Sequence, residues 1–198
     1  MAVSETIVRE FFELHGFFVR QNRKHIAPKR EDDEIDFYVH NPSGPAEGQE
    51  VSFVLEAALD LACLTRAVVV VKAWHTEVFT QAVLAHAPEM FRFAGPETFA
   101  RATEAFGGPG PLTKILVVPA LPASGVARQQ SIDLLKSKGI DAVIPFRTML
   151  SELIEHIEVN RNYQKSDLLQ VIRILKNYDL FAPPQLELFD NPKRKPKG

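Results

Sequence analysis

The run Ala67-Val68-Val69-Val70-Val71-Lys72-Ala73-Trp74 constrains this chain more than any other stretch. Four consecutive valines are stiff at χ1 and suit a pleated strand, and an unbroken apolar run has no polar face to turn toward water. It predicts a central strand buried on both faces, which requires helices above and below a sheet. The neighbouring segments supply those helices and strands. Ser4 can cap a first helix whose apolar face is Ile7, Val8, Phe11, Phe12 and Leu14, with Gly16 as its stop. Phe17-Phe18-Val19 opens a strand, and Ile35 to Val39 forms a second, closed by the turn Asn41-Pro42-Ser43-Gly44-Pro45. Residues 46–65 admit two readings, with Phe53-Val54-Leu55 as a short strand or the segment from Glu56 to Leu64 as helix.

Beyond the central strand, Thr76 can cap a helix carried by Val78, Phe79, Ala82, Val83 and Leu84, and a further helix is predicted from Pro96 to Phe106. Trp74 and His75 admit a role in stacking on a base or assisting at a phosphate, but the favoured reading is Trp74 as a residue of the core at the strand end and His75 as part of the helix cap. Gly107-Gly108-Pro109-Gly110-Pro111 lacks the Gly-Lys-Ser/Thr ending of a phosphate loop and reads as a turn. Lys114 to Val118 is a strand, a helix around Ile132, Leu134 and Leu135 ends at Gly139, and Ile140 to Ile144 is a short strand. Two helices follow, one with Met149, Leu150, Leu153, Ile154 and Ile157, the other with Leu168, Leu169, Ile172 and Leu175. The expectation is one α/β domain over residues 1–180, a mixed central sheet flanked by helices with two C-terminal helices, then a flexible tail over 181–198.

The 198 residues are 45% hydrophobic with a net charge of −2, enough for a core and too little positive charge for a protein that coats DNA. No apolar run is long enough to span a bilayer and the first residues lack signal-peptide form, so the expected location is the cytoplasm, with no membrane partner. Cys63 is the single cysteine, and His15, His25, His40, His86 and His156 show no ligand spacing, so neither a disulfide framework nor a zinc site is expected. Basic charge is local. Arg20, Arg23 and Lys24, continued by His25, Lys29 and Arg30, precede the acidic run Glu31-Asp32-Asp33-Glu34 and are the candidate nucleic-acid contacts.

The order helix, strand, strand, central strand, helix, strand, with Asp36 on the second strand and Lys72 on the third, resembles the restriction-endonuclease-like, or PD-(D/E)XK, nucleases. The resemblance implies Asp36 and Lys72 as catalytic residues, with Glu10 or Glu13 of the first helix completing the site, and magnesium held by carboxylates against a DNA phosphate. The chain departs from the pattern at Val70, where a carboxylate belongs. Glu77 is the best-placed substitute as a catalytic and metal-binding residue, with Asp33 and Glu34 behind it. The alternative is a fold that binds nucleic acid or protein without cutting.

Between Pro183-Pro184 and a Lys/Arg-rich tail lies Gln185-Leu186-Glu187-Leu188-Phe189. It resembles the Gln-Leu-x-Leu-Phe peptide by which proteins bind the bacterial sliding clamp. That resemblance implies that Leu186, Leu188 and Phe189 fill an apolar pocket while the Gln185 amide bonds at its edge. The expected function is that of a DNA replication or repair accessory protein, nuclease-like in fold and recruited by the clamp. The competing reading makes the tail a latch on its own domain.

Overall fold

A computed structural model describes residues 3–21, 35–44 and 51–181. Its elements are α1 (Val3–Leu14), β1 (Phe18–Gln21), β2 (Phe37–His40), α2 (Ala58–Leu61), β3 (Arg66–Val71), α3 (Gln81–Ala85), a 3₁₀ segment (Pro88–Ala94), α4 (Pro96–Ala105), β4 (Thr113–Val118), α5 (Gly125–Ser137), β5 (Ala142–Pro145), α6 (Phe146–His156) and α7 (Asp167–Asn177). The chain groups into two compact units, Met1–His156 and Ile157–Gly198, so α7 stands with the second.

In the first unit the five strands lie in the order β1-β2-β3-β4-β5. β2 runs antiparallel to both β1 and β3, while β3, β4 and β5 are parallel. The valine run is the central strand, and Ala67 to Val70 are at most 1% exposed. One face of the sheet, with Val68, Val70, Leu116, Val118 and Val143, packs on Phe79, Leu84, Met90, Phe93, Ala102 and Leu135 from α3, the 3₁₀ segment, α4, α5 and the loop before α3. The opposite face, with Ala67, Val69, Ile115 and Val117, is covered by α1 and α6. The mixed sheet between helical layers follows from burial: a strand apolar on both sides stays out of water only if both sides are roofed. Each fully buried Val or Phe contributes roughly 1.5–3 kcal/mol.

Local signals set several boundaries. Gly16 ends α1 in the left-handed region at φ 81°, with Phe17 N–H bonding back to the Phe12 carbonyl at 3.0 Å. Gly139, also at φ 81°, does the same for α5. Both readings of the ambiguous segment are realised in short form: Val54 makes one parallel bridge to Val143, and α2 follows within four residues.

Three expectations are corrected. Ser4 lies inside α1 and is buried, its hydroxyl bonded to His75 rather than capping the helix. The helix after the central strand starts at Gln81, capped by Thr80, whose hydroxyl accepts from Val83 N–H at 3.3 Å. Thr76 does not cap it, because Phe79 N–H is held by the Ala120 carbonyl at 2.9 Å and keeps residues 77–80 out of helix. Trp74 is 41% exposed and lies beyond β3, its ring edge-on to Phe79.

The second unit is held by the segment that precedes α7. Lys176 Nζ donates to the Ile157 carbonyl at 2.7 Å and Arg173 Nε to the Val159 carbonyl at 2.8 Å. Ser166 caps α7 through Leu169 N–H.

Candidate functional site

Because β3, β4 and β5 are parallel, their carboxyl ends share one edge of the sheet, the edge at which open α/β sheets place ligands. Asp36 and Lys72 both arrive there. Asp36 immediately precedes β2, which is antiparallel to β3, and Lys72 immediately follows β3. The Asp36 carboxylate accepts Val71 N–H at 2.7 Å while its own N–H donates to the Val69 carbonyl at 3.0 Å. The side chain thus takes the part of a backbone carbonyl where the β2–β3 ladder runs out. Lys72 keeps its backbone in the parallel ladder, donating to the Val117 carbonyl at 3.1 Å.

Glu10 is buried on α1, and Glu13 is exposed on the same helix. Partial burial and the neighbouring Glu10 push the Glu13 carboxyl upward, with Arg9 opposing them. Glu77 is exposed in the loop between β3 and α3, its N–H on the Trp74 carbonyl at 2.8 Å. Val70 is 1% exposed in the apolar cluster with Ile35, Phe79 and Leu116, so the position where the motif wants a carboxylate points into the core. Among the described residues no group of three or more His, Cys, Asp or Glu is arranged to hold a metal ion. Among the described residues, Asp36 with Val70 and an exposed Glu77 supplies too few oxygen ligands to fit magnesium, a hard cation that demands near-ideal octahedral coordination. Arg20 is exposed on β1, whereas Arg23, Lys24, Asp33, Glu34 and the peptide Gln185-Leu186-Glu187-Leu188-Phe189 lie outside the described residues.

No family model, no curated protein and no solved structure matches the chain.

Three arrangements were not legible in the sequence. At the same sheet edge, His75 Nε2 is 2.9 Å from the buried Ser4 hydroxyl and its ring lies 4.6 Å from that of Phe146, so the loop after β3 is tied to α1 and to the first residue of α6. Next to it a cleft of about 430 Å³ opens beyond β4 and β5, lined by Arg128, Arg147 and Thr148 and by Glu56, Glu152 and Glu155. Arg128 is already paired with Glu56, so the cleft carries both signs and no surplus of positive charge for a phosphate.

Between α1 and α6, Glu152 Oε2 lies 3.9 Å from His15 Nε2 and 3.5 Å from His156 Nδ1. Burial lowers the His15 imidazole from its ordinary value, and the attraction of Glu152 only partly offsets this, with His156 adding to the lowering.

The third arrangement is the outer face of β1 and β2. Register aligns Phe18 with His40 and His40 with Arg66 in one row, and Arg20 with Tyr38 and Tyr38 with Val68 in the next. Alternation of Phe18 with Arg20, and of Tyr38 with His40, was readable as a period of two; their juxtaposition across strands was not.

Proposed function

We propose that this protein is a DNA replication or repair accessory factor, nuclease-like in fold, that the bacterial sliding clamp recruits to DNA. The observation that carries it is the pentapeptide Gln185-Leu186-Glu187-Leu188-Phe189, which agrees with Gln-Leu-x-Leu-Phe at all four specified positions. The nuclease-like part is supported by the order α1, β1, β2, β3, helices, β4, and by the arrival of Asp36 and Lys72 at one end of adjacent strands. With Val70 in the core, the domain acts by binding, and Asp36 is a residue that closes the sheet. A weak tail is sufficient for recruitment, since a ring that carries the partner along DNA raises its local concentration there.

The test is capture of the full chain on an immobilised bacterial clamp. The peptide mode predicts a Kd on the order of micromolar, lost when Leu188 and Phe189 are both changed to Ala and little altered by Glu187→Ala. Undiminished capture of the double variant would reject the assignment. Incubation with magnesium or manganese and DNA is expected to give no cleavage; cleavage that vanishes in both Asp36→Ala and Lys72→Ala would restore the catalytic reading.

A further inference from the structure

We infer that the outer face of β1 and β2 is a binding platform for single-stranded nucleic acid, with a base stacking on the exposed Phe18 ring and the backbone lying along Arg20 and Arg66. The inference rests on the reading that the domain serves nucleic acid, and it names the form of strand and the surface.

Phe18 is 67% exposed in a four-residue edge strand, an unusual place for an aromatic ring that does no packing work. It is not isolated. Its ring centroid lies 6.4 Å from that of His40, tilted by 35°. In the adjacent row the Arg20 guanidinium sits 5.9 Å from the Tyr38 ring centroid. Phe106 borders the face, 5.7 Å from Tyr38 edge-on, with the Arg66 guanidinium 5.8 Å from its own ring. Arg66 is held there by the Gly108 carbonyl at 3.2 Å, so its charge is positioned before any ligand arrives.

The two rows present three aromatic or imidazole rings and two guanidinium groups, and none of Phe18, Arg20, Tyr38, His40, Arg66, Val68 and Phe106 is a carboxylate. Among the described residues of this face Phe18 and Arg20 are exposed and Tyr38, His40 and Arg66 are half-buried beside them, a local excess of positive charge next to an exposed ring in a chain of net charge −2. That combination suits unpaired bases, because every base has a π face to stack and each nucleotide brings one phosphate. A duplex keeps its bases stacked on one another and offers no such face, so the platform discriminates against it. Among the described residues the helices on that side pack on β3, β4 and β5, Tyr38 and Phe106 are half-buried against the same apolar cluster, and Phe18 and Arg20 are the exposed residues of β1 on that face.

The experiment is fluorescence anisotropy of the full chain with a labelled oligo-dT, an unstructured RNA of equal length and a duplex of equal length, all compared at the same salt concentration and then repeated at a second, higher one. Both single strands are expected to bind at least about tenfold more tightly than the duplex. Phe18→Ala, a surface change that leaves the core intact, is expected to weaken single-strand binding about tenfold, the effect of losing one stacked base. Arg20→Glu is expected to weaken it further and reduce its salt dependence. Equal binding of duplex and single strand, or no effect of Phe18→Ala and Arg20→Glu together, would overturn the platform. Clamp capture of the same variants separates the two ideas. Lost oligonucleotide binding with intact capture is what the platform requires of these variants, while a wild-type chain that is captured yet binds no single strand refutes the platform alone. A chain that binds single strands but not the clamp refutes recruitment alone.

Discussion

Val70 decides what chemistry the sheet edge can perform. Its side chain belongs to the core with Ile35, Phe79 and Leu116, so a carboxylate there is both oversized and desolvated. Val70→Glu, the change that would complete the nuclease motif on paper, is therefore expected to destabilise the fold by about 3 kcal/mol or more. Thermal melting checks it, and an unchanged midpoint would show that the site can admit the missing ligand. Asp36 has a structural task of its own on Val71 N–H. Asp36→Ala leaves that donor without its side-chain acceptor at a cost of about 1–3 kcal/mol, and Asp36→Asn, which keeps an oxygen acceptor, should cost less. Urea titration of the two variants measures the difference; equal losses would mean that charge, not the hydrogen bond, is what Asp36 contributes.

At the level of elements, the α1–α6 contact carries a pH dependence. His15, pressed against Phe11 with ring centroids 4.9 Å apart, has its imidazole lowered by burial. A histidine whose folded value lies below its unfolded one binds fewer protons in the folded state, so stability is full above about pH 6.5 and is lost as pH falls toward the lowered value. Glu13 has the opposite sense. Its raised carboxyl holds protons in the fold, so its contribution is full below the ordinary carboxyl value and is lost as pH rises through the raised one. The His15 effect therefore acts below about pH 6.5 and opposes the sense of Glu13. His15→Phe, which keeps the ring contact and removes the titrating nitrogen, should flatten the melting-temperature profile between about pH 5 and 7. A profile as steep as that of the unaltered protein would assign the dependence elsewhere. The element boundaries teach a similar lesson. Thr76 and Thr80 are equally good caps in isolation, and the choice between them was made by Ala120, forty residues on, which holds Phe79 extended.

For the whole molecule, the two proposed interactions are separable because they use different parts of the chain. Removing residues 182–198 should abolish clamp capture and leave oligonucleotide binding by β1 and β2 unchanged, as anisotropy and capture on the same preparation would show. Loss of both would mean that the tail itself contacts nucleic acid. Much of the architecture was legible in the residues alone. The valine run had to be a central strand, and the apolar faces of α1, α4, α5 and α6 had to roof it, because hydrophobic periodicity is a local property of the chain. The sites were less legible. Asp36 and Lys72 could be placed at one end of neighbouring strands, yet the bond from Val71 N–H to the Asp36 carboxylate depended on where the β2–β3 ladder ends. The same holds for Phe18, Tyr38 and Arg66: register is set between strands, through pairing and burial, and only the folded sheet brings those side chains into one face.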